Sequence, residues 1–362
     1  MPHRPALARA LTAAVVCAVL AAPAAAELAR SGDWPAVAWD EAVTERPQII
    51  SASPFSLTEV GAAPATTARV TFHPARGASA ERPAPAVVLL HGAGGVSGAR
   101  EGRYAREFAA QGVAVAVVDV FGARGGGRFV ERIMTITEAM ALADAFATLD
   151  WLDARPDVDA SRVALIGFSY GGMSSVFAAY RQVVDAYAPA RAFAAHVAFY
   201  GPCIARFENP ETTGAPVLML WGERDAIMDG EACADLAQDL EGGGSPVTVR
   251  RYDAMHRWDG GTRRWRAPTH IAACRFSVAA DGTVRDARTG LLMTDAAMRA
   301  AILAFCASRE GYLIGADEAV RRLSNAALAE FLNPVLFPGG PSRALRGGAS
   351  PRYLAGETRT PR

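Results

Sequence analysis

Ser169 lies at the centre of a Gly-x-Ser-x-Gly motif, GFSYG, at residues 167–171. The motif directly follows an apolar segment typical of a buried strand and directly precedes a helical pattern, which is the setting of a serine nucleophile on a sharp turn. Its two glycines have a steric role, since side chains there would collide with neighbouring backbone. Such a turn holds the hydroxyl at the carboxyl end of a sheet, where ligands of α/β sheets bind. The motif predicts a nucleophile for acyl transfer; the alternative is a passive serine in a glycine-rich turn.

A general base must accompany this serine, because a serine hydroxyl is a weak nucleophile at neutral pH. In α/β enzymes with such a turn, the residues follow in the order Ser, Asp or Glu, His. His256 comes after the last predicted strand, 247–252, where a base is expected. His270 lies in an irregular segment and is the alternative base, whereas His196 lies inside an apolar strand and is typical of a core histidine.

An acidic residue is also needed to orient the base. Asp225 follows the apolar strand 217–221 and a short turn, so its carboxylate is placed to accept the imidazole N–H of His256. Asp229 is the rival for this role. The other interpretation of either carboxylate is a surface ion pair with an arginine.

Acyl transfer requires two N–H donors for the oxyanion of the tetrahedral intermediate. One expected donor is the backbone amide of Tyr170, the residue after the nucleophile. The second expected donor is the amide of Ala93, in the loop HGAGG at 91–95 after the apolar strand 86–90. The alternative is an ordinary glycine-rich turn, because the loop lacks the spacing of a dinucleotide-binding fingerprint.

Arg124 lies in the loop FGARG at 121–125, after the predicted strand 113–120. This loop is expected at the same edge of the sheet as Ser169. The planar fork of a guanidinium suits a carboxylate, so Arg124 is predicted to bind an anionic group of the substrate. The alternative is an arginine that holds its own loop through a carboxylate or a backbone carbonyl. Arg128 is a nearby substitute for the binding role.

The elements that position these residues alternate regularly along the chain. Strands that are apolar throughout alternate with helices of ten or more residues, which indicates a mostly parallel sheet covered by helices on both faces. The predicted strands are 69–72, 86–90, 113–120, 163–166, 195–200, 217–221 and 247–252. The predicted helices are 104–111, 131–152, 170–180, 232–240 and 315–332, the last with an apolar stripe at Ala319, Leu323, Ala327 and Phe331.

Composition divides the chain into parts and excludes several functions. We expect an N-terminal arm at 27–60, an α/β domain at 61–336 with an insertion at about 258–310, and a disordered tail at 337–362. The 37 basic residues are all arginine, which excludes a Walker A lysine, a Schiff-base lysine and a Ser-Lys dyad. The formal net charge of zero argues against a nucleic-acid partner. Six scattered histidines without metal-binding spacing predict no metal site, and we expect no cofactor.

The first 26 residues resemble a secretory signal peptide. Arg4 and Arg9 precede an apolar run at 10–20, and the small residues 24–26 match a cleavage site. The run is short for a bilayer span, so export to the periplasm or the medium is favoured over an N-terminal membrane anchor. No stable anchor is expected after cleavage.

Cysteine usage agrees with export, because an even number of cysteines outside the signal peptide suggests disulfides. Four cysteines allow three connectivities, and buried free thiols are the alternative. We expect Cys203–Cys233 because the first follows a strand and the second opens the helix after Asp225, which places both at one edge of the site. The second expected pair is Cys274–Cys306.

Together these motifs resemble the α/β-hydrolase superfamily and, within it, the exported members of the dienelactone hydrolase family. The likeness covers about residues 65–258 and the closing helix, and is carried by LLHGAGG at 89–95, VDVFGARG at 118–125, GFSYGG at 167–172, WGERD at 221–225 and YDAMH at 252–256. Dienelactone hydrolase itself carries a cysteine in the elbow, where this chain has Ser169. The insertion is also extra to the compact family core.

The resemblance implies a serine hydrolase that acts on a small-molecule carboxylic ester or lactone, and the serine makes a dienelactone substrate less suitable than a simple ester. Two other functions fit the sequence. A peptidase or acyltransferase would use the same three residues, and a non-catalytic binding protein would retain only the fold.

Overall fold

The computed structural model describes residues 27–37, 43–125, 127, 129–261 and 264–339. The expected signal peptide at 1–26, Arg128 and the expected tail beyond residue 339 lie outside the described residues. The described strands are β1 (Gln48–Ala52), β2 (Ala65–His73), β3 (Ala84–Leu90), β4 (Ala114–Val118), β5 (Val158–Phe168), β6 (Ala195–Phe199), β7 (Ala205–Phe207), β8 (Val217–Gly222), β9 (Val247–Tyr252), β10 (Trp265–Ala267), β11 (Phe276–Val278), β12 (Val284–Asp286) and β13 (Tyr312–Ile314). The described helices are α1 (Glu101–Ala110), α2 (Phe129–Thr135), α3 (Glu138–Asp153), α4 (Tyr170–Phe177), α5 (Arg181–Tyr187), α6 (Gly230–Gly242), α7 (Ala296–Cys306) and α8 (Glu318–Leu336).

Among the described strands, eight form one central sheet in the order β1-β2-β4-β3-β5-β6-β8-β9. Strands β4, β3, β5, β6, β8 and β9 are parallel to one another. At one edge, β2 pairs antiparallel with both β4 and β1. Every residue of β3 is buried, and alternate residues pack into two separate apolar clusters, Val88 and Leu90 in one and Val87 and Leu89 in the other. This alternation places one core on each face of the sheet. The fold is the α/β-hydrolase fold that the sequence predicts.

Several elements differ from the sequence prediction. The N-terminal arm contributes β1 to the sheet, and the predicted helix 131–152 is two helices that break at Thr137. The Thr137 hydroxyl accepts the amide N–H of Met140 and so begins α3, which is the role that threonine prefers at a helix terminus. Similarly, the predicted helix 170–180 ends at Phe177 and is followed by α5.

The apolar stripe predicted for the last helix is half correct: Ala327 and Phe331 pack against the core, whereas Ala319 and Leu323 are exposed. Leu323 is 60% exposed, and α8 buries instead a row that includes Val320, Leu328 and Leu332. Ser324 lies in this buried row because its hydroxyl accepts the indole N–H of Trp258 at 3.1 Å. Because this buried row contains a polar residue, hydrophobicity alone does not identify it as the buried face of the helix.

The inserted segment after residue 258 adds small elements at the carboxyl edge of the sheet. Strand β11 pairs with β7 and β12, and β10 pairs with β13. The structure contains both disulfides that the sequence led us to expect, Cys203–Cys233 and Cys274–Cys306. The second closes the inserted segment on itself between its first part and α7. None of the helices in the described ranges is long and apolar enough to cross a membrane.

Candidate active site

The turn between β5 and α4 carries Ser169 in a conformation that few residues adopt, with φ 53°. A Cβ atom at Gly167 would lie 1.8 Å from the carbonyl oxygen of Gly171, and one at Gly171 would lie 2.4 Å from that of Leu90. Both positions therefore require glycine. The close approach of these backbones forces Ser169 into the strained turn and holds its hydroxyl at the end of the sheet.

The loops after β8 and β9 bring two further side chains to this hydroxyl. His256 Nε2 lies 3.0 Å from Ser169 Oγ, and His256 Nδ1 lies 2.6 Å from Asp225 Oδ2. A carboxylate only accepts, so Nδ1 carries the hydrogen and Nε2 is left with the lone pair that faces the serine. Asp225 is buried, and its other oxygen accepts the amide N–H of Ile227 at 3.1 Å. The arrangement can remove the proton of the Ser169 hydroxyl.

The rival residues take no part in the hydrogen bonds that join Ser169, His256 and Asp225. Asp229 accepts the first amide N–H groups of α6 and pairs with Arg275. His196 is fully buried in β6, and burial lowers its pKa to about 4. His270 exchanges backbone hydrogen bonds with Ser308 at the wall of the cavity beside Ser169.

Two backbone amides near Ser169 are free to bind an oxyanion. In the described ranges, neither the Ala93 nor the Tyr170 amide N–H has a hydrogen-bond acceptor. The loop is held directly before Ala93, since the His91 carbonyl accepts the Gly171 N–H at 3.1 Å and His91 Nδ1 donates to the Gly92 carbonyl at 2.8 Å. Ala93 and Tyr170 line the same cavity as Ser169. Donors fixed in this way can stabilise negative charge on an acyl oxygen.

Aromatic side chains that the sequence analysis did not single out hold the imidazole of His256. The Tyr200 ring packs edge-on at 4.6 Å, and the Tyr312 ring packs edge-on at 5.9 Å. The Tyr200 hydroxyl donates to Asp259 at 2.5 Å, and burial raises the pKa of that carboxyl. The Gly315 amide donates to the His256 carbonyl at 3.1 Å, so the end of β13 also holds the histidine loop. Short strands such as β13 have no recognisable sequence pattern.

A cavity of about 200 Å³ opens beside Ser169. Its wall combines residues of the core with residues of the inserted segment. The principal apolar ones are Met173, Phe177, Phe207, Phe276, Met293 and Leu303. The insertion thus forms part of the cavity wall.

The structure contradicts the substrate-binding role expected for Arg124. Its guanidinium is nearly buried and makes a bidentate pair with Asp144 at 2.6 and 3.1 Å. The remaining N–H groups donate to the carbonyls of Val120 and Ala52 and to the Ser53 hydroxyl. With its donors occupied and no place in the cavity wall, Arg124 holds its own loop, as the alternative interpretation had it.

Among the described residues, no group of His, Cys, Asp and Glu side chains is arranged to hold a metal ion.

A known family of proteins matches the part of the chain that carries the site. The model of the dienelactone hydrolase family matches residues 74–264, just over half of the 362-residue chain. The chain belongs to the dienelactone hydrolase family. Family membership makes the protein a hydrolase. The matched range includes Ser169, Asp225 and His256.

Solved structures similar to this family member include three hydrolases. A Klebsiella pneumoniae protein named as a candidate dienelactone hydrolase is 21% identical, covering 59% of this chain and 90% of its own, with a TM-score of 0.43. A dienelactone hydrolase-like promiscuous phosphotriesterase from metagenomic libraries is 22% identical, covering 73% and 96%, with a TM-score of 0.41. Thermogutta terrifontis esterase 2 in a butyrate-bound structure is 16% identical, covering 52% and 80%, with a TM-score of 0.40. No curated protein sequence matches the chain.

Proposed function

We propose that this member of the dienelactone hydrolase family is a serine hydrolase that cleaves a carboxylic ester or lactone through an acyl-enzyme. The observation that carries the proposal is the hydrogen-bonded chain from Asp225 through His256 to Ser169 at the wall of a cavity. In acyl transfer, such a chain provides a nucleophile, a base and an orienting carboxylate.

In the proposed reaction, Ser169 Oγ bonds to the acyl carbon while its proton moves to His256 Nε2. Asp225 stabilises the imidazolium, and the amides of Ala93 and Tyr170 bind the oxyanion. The imidazolium then gives the proton to the leaving alkoxide as the ester C–O bond breaks. Water, deprotonated by His256, attacks the acyl-enzyme and releases the acid and the free serine.

The decisive experiment is replacement of the nucleophile. Ser169→Ala removes the attacking oxygen, so turnover of a nitrophenyl ester falls by roughly 10⁴-fold or more. Covalent labelling by a fluorophosphonate disappears as well, and circular dichroism remains that of the wild type. Ser161→Ala, at an exposed serine of the same strand, is the matched control and retains both activities. Labelling that persists in Ser169→Ala would contradict the proposal.

We further propose that the enzyme works in an oxidising compartment after removal of residues 1–26. The two disulfides support this, since disulfides persist in exported proteins and are rare in the cytosol. N-terminal sequencing of the protein recovered from the periplasm or the medium tests it. A chain that begins near Glu27 is expected, whereas an intact Met1 on protein recovered from the cytosol is the contrary result.

A further inference from the structure

The charge of the cavity is concentrated in one pair of residues. Among the described residues that line it, histidine aside, only Glu138 and Arg299 carry a charge, and the rest of the wall is mainly apolar. Glu138 opens α3 in the core, and Arg299 lies on α7 in the inserted segment. A charged pair in an apolar cavity is a candidate determinant of which substrates can enter.

These two side chains neutralise each other. Arg299 Nη1 and Nη2 donate to the two oxygens of Glu138 at 2.9 and 3.0 Å, and Arg299 Nε donates to the Ile133 carbonyl at 3.0 Å. Burial favours the neutral carboxyl, but the adjacent guanidinium outweighs it, so the pKa of Glu138 lies below its ordinary value. The carboxylate therefore remains ionised beside Arg299.

The pair lines the same cavity as the nucleophile Ser169. Tyr170 follows Ser169, and its hydroxyl donates to the Thr137 carbonyl at 2.5 Å, one residue before Glu138. An acyl group bonded to Ser169 therefore shares the cavity with a guanidinium that is already occupied by a carboxylate.

We propose that the cavity accepts an uncharged, apolar acyl group and that Glu138 sets this selectivity by occupying Arg299. The inference rests on the ester hydrolysis proposed above. A substrate carboxylate that enters the cavity loses its hydration and meets a guanidinium that Glu138 already neutralises, with no unpaired cation in the described wall to offset this. An apolar acyl group, in contrast, is stabilised by burial against the aromatic and aliphatic wall.

Two nitrophenyl esters of equal length test the selectivity of the wild-type enzyme. One is the hexanoate, and the other is the monoester of adipic acid, which ends in a carboxylate. The expected kcat/KM of the neutral ester exceeds that of the charged one by roughly 100-fold, because the charged group loses its hydration and gains no unpaired cation. Equal values for the two esters overturn the inference.

Glu138→Gln tests the role of the pair. The amide keeps a hydrogen bond to Arg299 but removes the negative charge, so the guanidinium can pair with the substrate carboxylate. The ratio of charged to neutral turnover is expected to rise by about tenfold or more, as for one charge-assisted hydrogen bond. Adding Arg299→Gln removes the cation and should abolish this gain. Glu318→Gln, which disrupts the exposed pair with Arg103, is the matched control and leaves the ratio unchanged.

The outcomes separate this inference from the proposed function. A Glu138→Gln enzyme that is labelled by a fluorophosphonate but keeps the wild-type ratio overturns the role of Glu138. A rise in the ratio of charged to neutral turnover that persists when Arg299→Gln is added also overturns this role. If Glu138→Gln does not fold, the ratio measured in the wild type decides the selectivity. A wild-type enzyme that turns over neither ester and is not labelled contradicts the serine-hydrolase proposal itself.

Discussion

At the proposed catalytic residues, the hydrogen bonds that join Asp225, His256 and Ser169 predict unequal losses of activity. His256→Ala removes the base and is expected to lower kcat/KM nearly as much as Ser169→Ala, because the groups act as a unit. Asp225→Asn leaves serine and imidazole in place and lowers it less, by roughly 10³- to 10⁴-fold, since it permits the wrong tautomer. Steady-state kinetics on a nitrophenyl ester measure both.

The matched control is Asp229→Asn, four residues from Asp225, which alters the first turn of α6 and the pair with Arg275. It should lower stability slightly and leave kcat/KM close to the wild-type value. A loss as large as that of Asp225→Asn would assign the orienting role to Asp229.

Arg124 carries a prediction about stability rather than catalysis. Arg124→Met leaves the buried Asp144 without its cation, which lowers the free energy of unfolding by about 3–5 kcal/mol. Turnover of neutral and carboxylate-bearing esters should fall by the same factor, because the guanidinium does not reach the cavity. Urea denaturation and the two-ester comparison measure these effects. A selective loss on the charged ester would restore the substrate-binding role.

The positions of the residues that follow the strands could be predicted from the sequence. The contact that Arg124 makes could not. Ser169, Asp225 and His256 each follow an apolar strand in an order that local pattern reveals. The partner of Arg124 is Asp144, in the middle of a helix 20 residues later. Nothing local to either residue indicates that they meet, because the contact depends on how α3 packs on the sheet.

At the level of elements, the disulfides predict how the loops around the site are held. Cys203–Cys233 closes 30 residues and joins the segment after β6 to α6, next to the loop that carries Asp225. On the chain-entropy account, its removal in Cys203→Ala/Cys233→Ala lowers the free energy of unfolding by roughly 3.5 kcal/mol. Denaturant unfolding measures the loss.

Peptide mapping without reduction provides the check on connectivity. It should recover one peptide pair for Cys203–Cys233 and one for Cys274–Cys306. Crossed pairs or four free thiols would contradict the structure. For the loss in free energy of unfolding, the matched comparison is Cys274→Ala/Cys306→Ala. Its loop of 32 residues is nearly the same length but lies within the insertion.

The long buried strands of the sheet could be predicted because they are apolar on both faces, as β3 and β4 show. The elements of the insertion could not. Strands β10 to β13 have three residues each, too few for a period, and apart from the local pair β11–β12 they pair with distant partners such as β7. Because the insertion also forms part of the cavity wall, the proposed selectivity depends on the least predictable part of the chain.

For the whole molecule, the two apolar cores flanking the sheet hold titratable groups that affect stability with pH. His196 lies fully buried on β6, and burial lowers its pKa from 6.5 to about 4. Between these values the unfolded chain binds more protons than the folded protein, so the free energy of unfolding rises with pH. Acidification from pH 7.5 to pH 5 is therefore expected to remove about 2 kcal/mol through this histidine.

Replacing the titrating side chain tests this account. His196→Leu keeps an apolar side chain of similar size in the strand and has no proton to bind, so the drop in stability between pH 7.5 and pH 5 should be smaller than in the wild type by about 2 kcal/mol. Urea denaturation at the two pH values measures the drop in each protein. The comparison uses the difference between pH values, so any change in packing that acts equally at both cancels. A drop identical to that of the wild type would show that His196 is not the group whose burial opposes protonation in the folded state.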